Sequence, residues 1–292
     1  TAAIDRAMHA RPSAHEPAGA LAPGGVLGPG GVHGPGVHEP GVLGPASVSR
    51  RRTPVFIVAS PRPQVGKTFI ARLLVDFLRL QGDDPMAFDL NPGGDALRDY
   101  LPGLAVASDV EDIHGQMALF DCLIVHDGTP KVVDVGSASF ERFFTIAQQI
   151  RFIEGAQRRS IDPMILFAAD PHPVAVKAYA DLQQRFPSAI VVAVFDDAIV
   201  KGRKLRDKFP FTRTAAVPLQ IAALSPLLKA QVEQPSCSFV DVHDQLPIEI
   251  PVGLGYELRA WTRRTFLEFR ELELRLLLEQ LRASLENPLL GD

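Results

Sequence analysis

Val55-Phe56-Ile57-Val58-Ala59-Ser60-Pro61-Arg62-Pro63-Gln64-Val65-Gly66-Lys67-Thr68-Phe69-Ile70-Ala71 is the stretch on which the reading of the chain turns. It opens with a short apolar run of the kind that forms a strand buried on both faces. A loop follows, and Gly66-Lys67-Thr68 then begins a segment, Thr68 to Leu80, with apolar residues at helical spacing: Phe69, Leu73, Leu74, Phe77 and Leu78. Strand, loop and Gly-Lys-Thr at a helix start are the parts of a loop that wraps phosphate. Its amides and the positive end of the helix attract the anion. In such a loop a lysine neutralises phosphate charge and a hydroxyl reaches a divalent cation.

Here the loop is Pro61-Arg62-Pro63-Gln64-Val65-Gly66-Lys67-Thr68. A glycine is usual where Pro61 stands, and Pro61 and Pro63 lack an N–H. The amides of Val65, Gly66, Lys67, Thr68 and Phe69 remain, so these residues are the expected nucleotide contacts.

Downstream, apolar runs at 86–90, 131–135, 164–168 and 189–195 read as further strands. Helical stretches separate them, among them Gln116 to Val125 and Val174 to Arg185. This alternation predicts an α/β fold, a mainly parallel sheet flanked by helices. The last segment, Tyr256 to Leu285, reads as a long amphipathic helix with Trp261, Phe266, Phe269, Leu272, Leu276 and Leu277 as its buried stripe. It packs on its own domain or serves a dimer or partner.

Residues 1–52 differ from the rest. Gly24-Gly25-Val26-Leu27-Gly28-Pro29-Gly30 is echoed by Gly31-Val32-His33-Gly34-Pro35-Gly36 and by Gly41-Val42-Leu43-Gly44-Pro45. A Gly/Pro repeat buries too little apolar surface to offset its ordering entropy, so a disordered tail is expected before a domain at 53–292. Arg50-Arg51-Arg52 reads as solvated linker charge, or else as a contact to nucleic acid or an acidic partner.

Across all 292 residues the net charge is -4, which argues against a protein that coats nucleic acid generally. The two cysteines, Cys122 and Cys237, have no metal-ligand spacing and imply no disulfide framework; a reducing, cytoplasmic setting is the simpler expectation. No apolar run approaches the roughly 20 residues needed to span a bilayer, and no secretory signal is visible. No Ser-His-Asp set, zinc spacing or GxGxxG stands out.

The loop resembles the deviant Walker A loop of the ParA/MinD group of P-loop ATPases. Arg62 stands where that group carries an extra lysine that reaches the phosphates of a partner in a nucleotide-dependent dimer. Phe88-Asp89-Leu90-Asn91-Pro92 is similar to the group's Asp-x-Asp-Pro, with Asn91 in place of the second acid. Val133-Asp134-Val135-Gly136-Ser137-Ala138-Ser139-Phe140 is similar to its Walker B and switch II element. Asp127-Gly128-Thr129-Pro130 competes for that role, and Asp134 is preferred because Asp127 reads as the turn leaving a helix.

Within the group, Val65 to Ala71, Phe120-Asp121, Gly136 to Phe140 and Arg185-Phe186-Pro187 resemble the TraL/StbB-like proteins of plasmid conjugation and stability. The resemblance implies an ATP–Mg²⁺ switch that forms a homodimer and works with a protein partner in plasmid transfer or partition. Lys67 and Arg62 would bind phosphate, Thr68 and Asp134 would serve Mg²⁺, and Asp89 would sit near the γ-phosphate. Asn91 cannot take a proton as a carboxylate can, so a degenerate, non-hydrolysing nucleotide-binding scaffold is the alternative. A dethiobiotin-synthetase-type ligase shares Val65-Gly66-Lys67-Thr68 but not the loop's beginning.

Three other segments carry chemistry with more than one reading. Asp170-Pro171-His172-Pro173 is a helix-initiating turn or a nucleotide-facing loop. Asp196-Asp197 ends a strand near where a base or ribose would lie, or is solvated loop. Lys201, Arg203, Lys204, Arg206 and Lys208 form a solvated basic face or the first place to look for DNA contact.

Overall fold

The computed structural model describes residues 52–91, 97–200, 203–234, 237–244 and 251–286. Strands and helices alternate along them. First come β1 (Thr53–Ala59), α1 (Lys67–Leu80), β2 (Met86–Asp89), α2 (Leu97–Tyr100), β3 (Ala105–Ala107), α3 (Ile113–Leu123) and β4 (Lys131–Val135). Next are α4 (Phe140–Gln149), α5 (Phe152–Gln157), β5 (Ile161–Ala168), α6 (Pro173–Arg185), β6 (Ile190–Asp196) and β7 (Leu219–Ile221). The order closes with α7 (Pro226–Val232), α8 (Phe239–Asp244) and α9 (Val252–Glu286).

The strands form one seven-stranded sheet in the order β3-β2-β4-β1-β5-β6-β7, with every pairing parallel. β1 lies between β4 and β5, with Ala59 in register with Val135 on one side and Phe167 on the other. Val55 to Ala59 are all buried, which is why the run is continuously apolar rather than alternating. The chain leaves β1 toward β2 on one side and later fills β5 on the other. The carboxyl end of β1 is therefore the topological switch point, where open α/β sheets present their ligand crevice.

The five expected strands are all present, with ends shifted by up to three residues. β3 and β7 were not foreseen. Each has three residues at a sheet edge, too short for an apolar run to declare itself. The helix expected over 116–125 instead spans Ile113–Leu123, because the Asp112 side chain accepts from the Gly115 amide at 2.8 Å and starts it earlier.

In α9, Trp261, Phe266, Phe269 and Leu272 are buried and Leu276 is partly buried, but Leu277 is 51% exposed. One residue turns a helix by about 100°, which carries Leu277 past the packing face. That face meets α1, where Phe77 lies 5.7 Å from Phe266 and 5.5 Å from Phe269, ring to ring. Further along, Trp261 Nε1 donates to the Ala222 carbonyl at 2.7 Å and Arg275 to the Val217 carbonyl at 2.7 Å. The helix thus packs on its own sheet domain.

The expected tail and its repeats fall at 1–51, outside the described residues. Arg52 is described and is not a free linker charge. Its guanidinium donates to Asp162 Oδ1 at 2.6 Å and to the Gln157 and Ile161 carbonyls. No described helix is long and apolar enough to cross a membrane.

Candidate functional site

The loops that leave β1, β2 and β4 meet at the carboxyl edge of the sheet. After β1 the backbone takes left-handed geometry twice, at Gln64 (φ 57°) and Gly66 (φ 80°). Glycine tolerates this at Gly66; a side chain at Gln64 costs about 1 kcal/mol. The turn leads directly into α1 at Lys67. The first helical bond runs from the Ile70 amide to the Gly66 carbonyl at 2.9 Å, so the amides of Lys67, Thr68 and Phe69 have no intrahelical acceptor.

Lys67 is 6% exposed and its Nζ donates to the Arg62 carbonyl at 2.7 Å. Burial pushes its pKa down, and the negative charge of Asp134 partly opposes this. Arg62 Nε donates to Asp170 Oδ2 at 3.0 Å. The other oxygen of Asp170 accepts from the His172 amide at 2.7 Å. His172 in turn caps α6, its Nδ1 accepting from the Val174 amide at 3.2 Å with Pro173 as the first helical residue. The Asp170–Pro173 segment is thus a helix start, tied to the loop after β1 through Arg62.

Thr68 Oγ1 donates to Asp134 Oδ2 at 2.7 Å, and Asn91 Nδ2 donates to the same oxygen at 2.9 Å. The second oxygen, Asp134 Oδ1, is buried with no hydrogen-bond partner. Burial raises the Asp134 carboxyl to about 6; the bond from Thr68 opposes this and the charge of Asp89 adds to it. Asp89, directly opposite Asp134 in the sheet register, is also buried. Its Oδ1 accepts from the Asn91 amide and Nδ2, both at 2.9 Å, and its Oδ2 accepts from the Arg98 amide at 3.2 Å. Asp89 therefore organises the loop after β2, as a strand-end acid does.

The loops after β2 and β4 are pressed together. A Cβ on Gly136 would lie 2.8 Å from Asn91 Oδ1 and 3.0 Å from the Leu90 carbonyl oxygen, so this approach admits only glycine. Ser139 Oγ donates to that same carbonyl at 3.0 Å. Through Asn91 and Asp134 both loops connect to Thr68.

Of the two competing acids, Asp134 meets Thr68. Asp127 lies before β4 begins, and accepts from the buried Lys131 Nζ at 2.9 Å. The Phe69 ring packs with Phe239 at 5.9 Å and Trp261 at 5.8 Å, so only its main chain faces the loop. Asp196, raised in pKa by burial, has Oδ2 3.6 Å from where a Gly66 Cβ would stand; Asp197 bonds Gln220. Arg206 lies 5.8 Å over the Phe195 ring, while Lys201 is outside the described residues.

Sequence reasoning missed two participants, Asp170 as the partner of Arg62 and Asn91 as the bridge between two aspartates. Both carried a signal, Asn91 as an amide where an acid was expected and Asp170 as an acid between a strand and a helix start. A separate cleft of about 290 Å³ is lined by Gln148, Arg151, Glu154, Arg158, Arg185 and Phe186, none of them in these loops.

No protein-family model matches the chain, and no curated protein does.

Proposed function

We propose that the chain is an ATP–Mg²⁺-dependent molecular switch of the ParA/MinD type, with weak hydrolysis. The observation that carries this reading is Asp134 at 2.7 Å from Thr68, the hydroxyl that follows Gly66-Lys67 at the head of α1. A hydroxyl paired with a buried carboxylate that has a spare oxygen suits a hydrated divalent cation. Among the described residues no group of three or more His, Cys, Asp and Glu forms a metal cage.

In this reading the amides of Gly66, Lys67, Thr68 and Phe69 grip phosphate oxygens, and Lys67 exchanges the Arg62 carbonyl for phosphate. The bound Mg-nucleotide supplies the charge that the loops after β2 and β4 respond to. Gly136, Ser139 and Asn91 transmit the response, because both loops share those contacts. Arg62 must give up Asp170 before it can reach the phosphates of a second copy. The setting in plasmid transfer or partition rests on the motif resemblance alone.

A non-hydrolysing scaffold is favoured by Asn91. Its Nδ2 donates to both aspartates, so it offers no base to an attacking water. Calorimetric titration with Mg-ATP, beside a turnover assay on the same sample, tests both readings. Binding lost in Lys67→Ala supports the site, and binding without turnover selects the scaffold. Equal affinity in wild type and Lys67→Ala refutes the site.

A further inference from the structure

α9 has a second apolar face. Leu267, Leu274, Leu278, Leu281 and Leu285 are exposed by 67, 51, 53, 52 and 78%. With Glu271 their spacing alternates between four and three residues from 267 to 285, the period of a coiled-coil seam. The seam lies opposite the buried stripe of Leu258, Trp261, Thr265, Phe269 and Leu272. An amphipathic helix needs one apolar stripe to pack on its domain, and this helix carries two.

We infer that this seam binds a second copy of the chain, helix against helix and antiparallel. The leucines leave roughly 600 Å² of apolar side chain per copy, so a two-fold pair covers about 1,200 Å², the lower end of a specific interface. The helix is already ordered against the sheet domain, so pairing carries little of the entropy cost that makes short free helices marginal.

Charge selects the direction. Parallel pairing sets Glu271 against Glu271 of the second copy, inside the seam and with like charge. Antiparallel pairing about a two-fold axis between Leu274 and Leu278 sets these two against each other and Leu267 against Leu285. It places Glu271 across from Leu281, beside Arg282 of the second copy. Glu271 is 63% exposed beside Arg275 of its own helix at 3.2 Å, so it is available to that arginine.

This dimer is independent of the phosphate loop. It is tested by sedimentation equilibrium of the full chain without nucleotide, across about 1 to 100 µM. Wild type and Lys67→Ala show the same monomer–dimer equilibrium, with a dissociation constant on the order of micromolar. Leu274→Lys with Leu278→Lys weakens it at least about tenfold while the far-ultraviolet circular dichroism stays that of wild type. Glu271→Arg weakens it, and adding Arg282→Glu restores it. A monomer throughout, or a lysine variant that dimerises as wild type does, overturns the seam. A charge swap that restores nothing overturns the antiparallel pairing. If Lys67→Ala alone loses the dimer, the association belongs to the phosphate loop and the inference fails.

Discussion

Asp134→Asn exchanges a buried carboxylate for an amide of the same shape. In the wild type, burial lifts this carboxyl from 3.8 to about 6. Two pKa units correspond to about 3 kcal/mol of linkage. The direction follows from the protons bound. Between these two values the folded state holds a proton that the unfolded state has released. The contribution of the neutral carboxyl is therefore fully present below 3.8 and is lost as pH rises through about 6.

The asparagine has no such loss. Its oxygen can still accept from Thr68 and Asn91, but its new N–H₂ takes the place of the unpartnered Oδ1 and meets no acceptor, at a cost of about 1–2 kcal/mol. Asp134→Asn is therefore less stable than wild type near pH 4. It becomes more stable by about 1 kcal/mol near pH 8, because the difference between the two swings by about 3 kcal/mol. Urea denaturation of both proteins in chelator across that range reads the swing, and subtraction cancels every other titrating group. A difference that stays flat with pH refutes the claim that burial strains this carboxylate.

Gly136→Ala forces a methyl against Asn91 and the Leu90 carbonyl, and destabilises the fold by about 1–3 kcal/mol in the same urea assay. Gln64→Gly relieves a left-handed side chain and raises stability by up to about 1 kcal/mol, read as a rise in melting temperature. On the proposed function, Mg-ATP raises the melting temperature of wild type and Lys67→Ala abolishes the rise. Trp261→Phe removes the bond to the part-buried Ala222 carbonyl, costing about 1 kcal/mol on urea unfolding.

The fold class was legible because β1 is buried on both faces and its run shows no alternation, while α1 repeats its apolar residues at helical spacing. Those are local signals, as is the Gly-Lys-Thr that ends the loop. The edge strands β3 and β7 were silent, since three residues leave no period to detect. The stripe of α9 was legible for its buried face. Its outward leucines look the same in composition, and only packing tells the two sets apart: Leu276 partly covered, Leu277 in solvent.

What the sequence determined by itself is therefore the alternation of strands and helices and the chemistry placed at the head of α1. Both are encoded within a few residues of each other. What tertiary structure alone decided is which distant groups meet there: Asp170 with Arg62, Asn91 with both Asp89 and Asp134, and Gly136 against Asn91. Those meetings depend on strand order and register. A parallel sheet carries the loops of β1, β2 and β4 to one edge, and no local pattern records which strand will lie beside which.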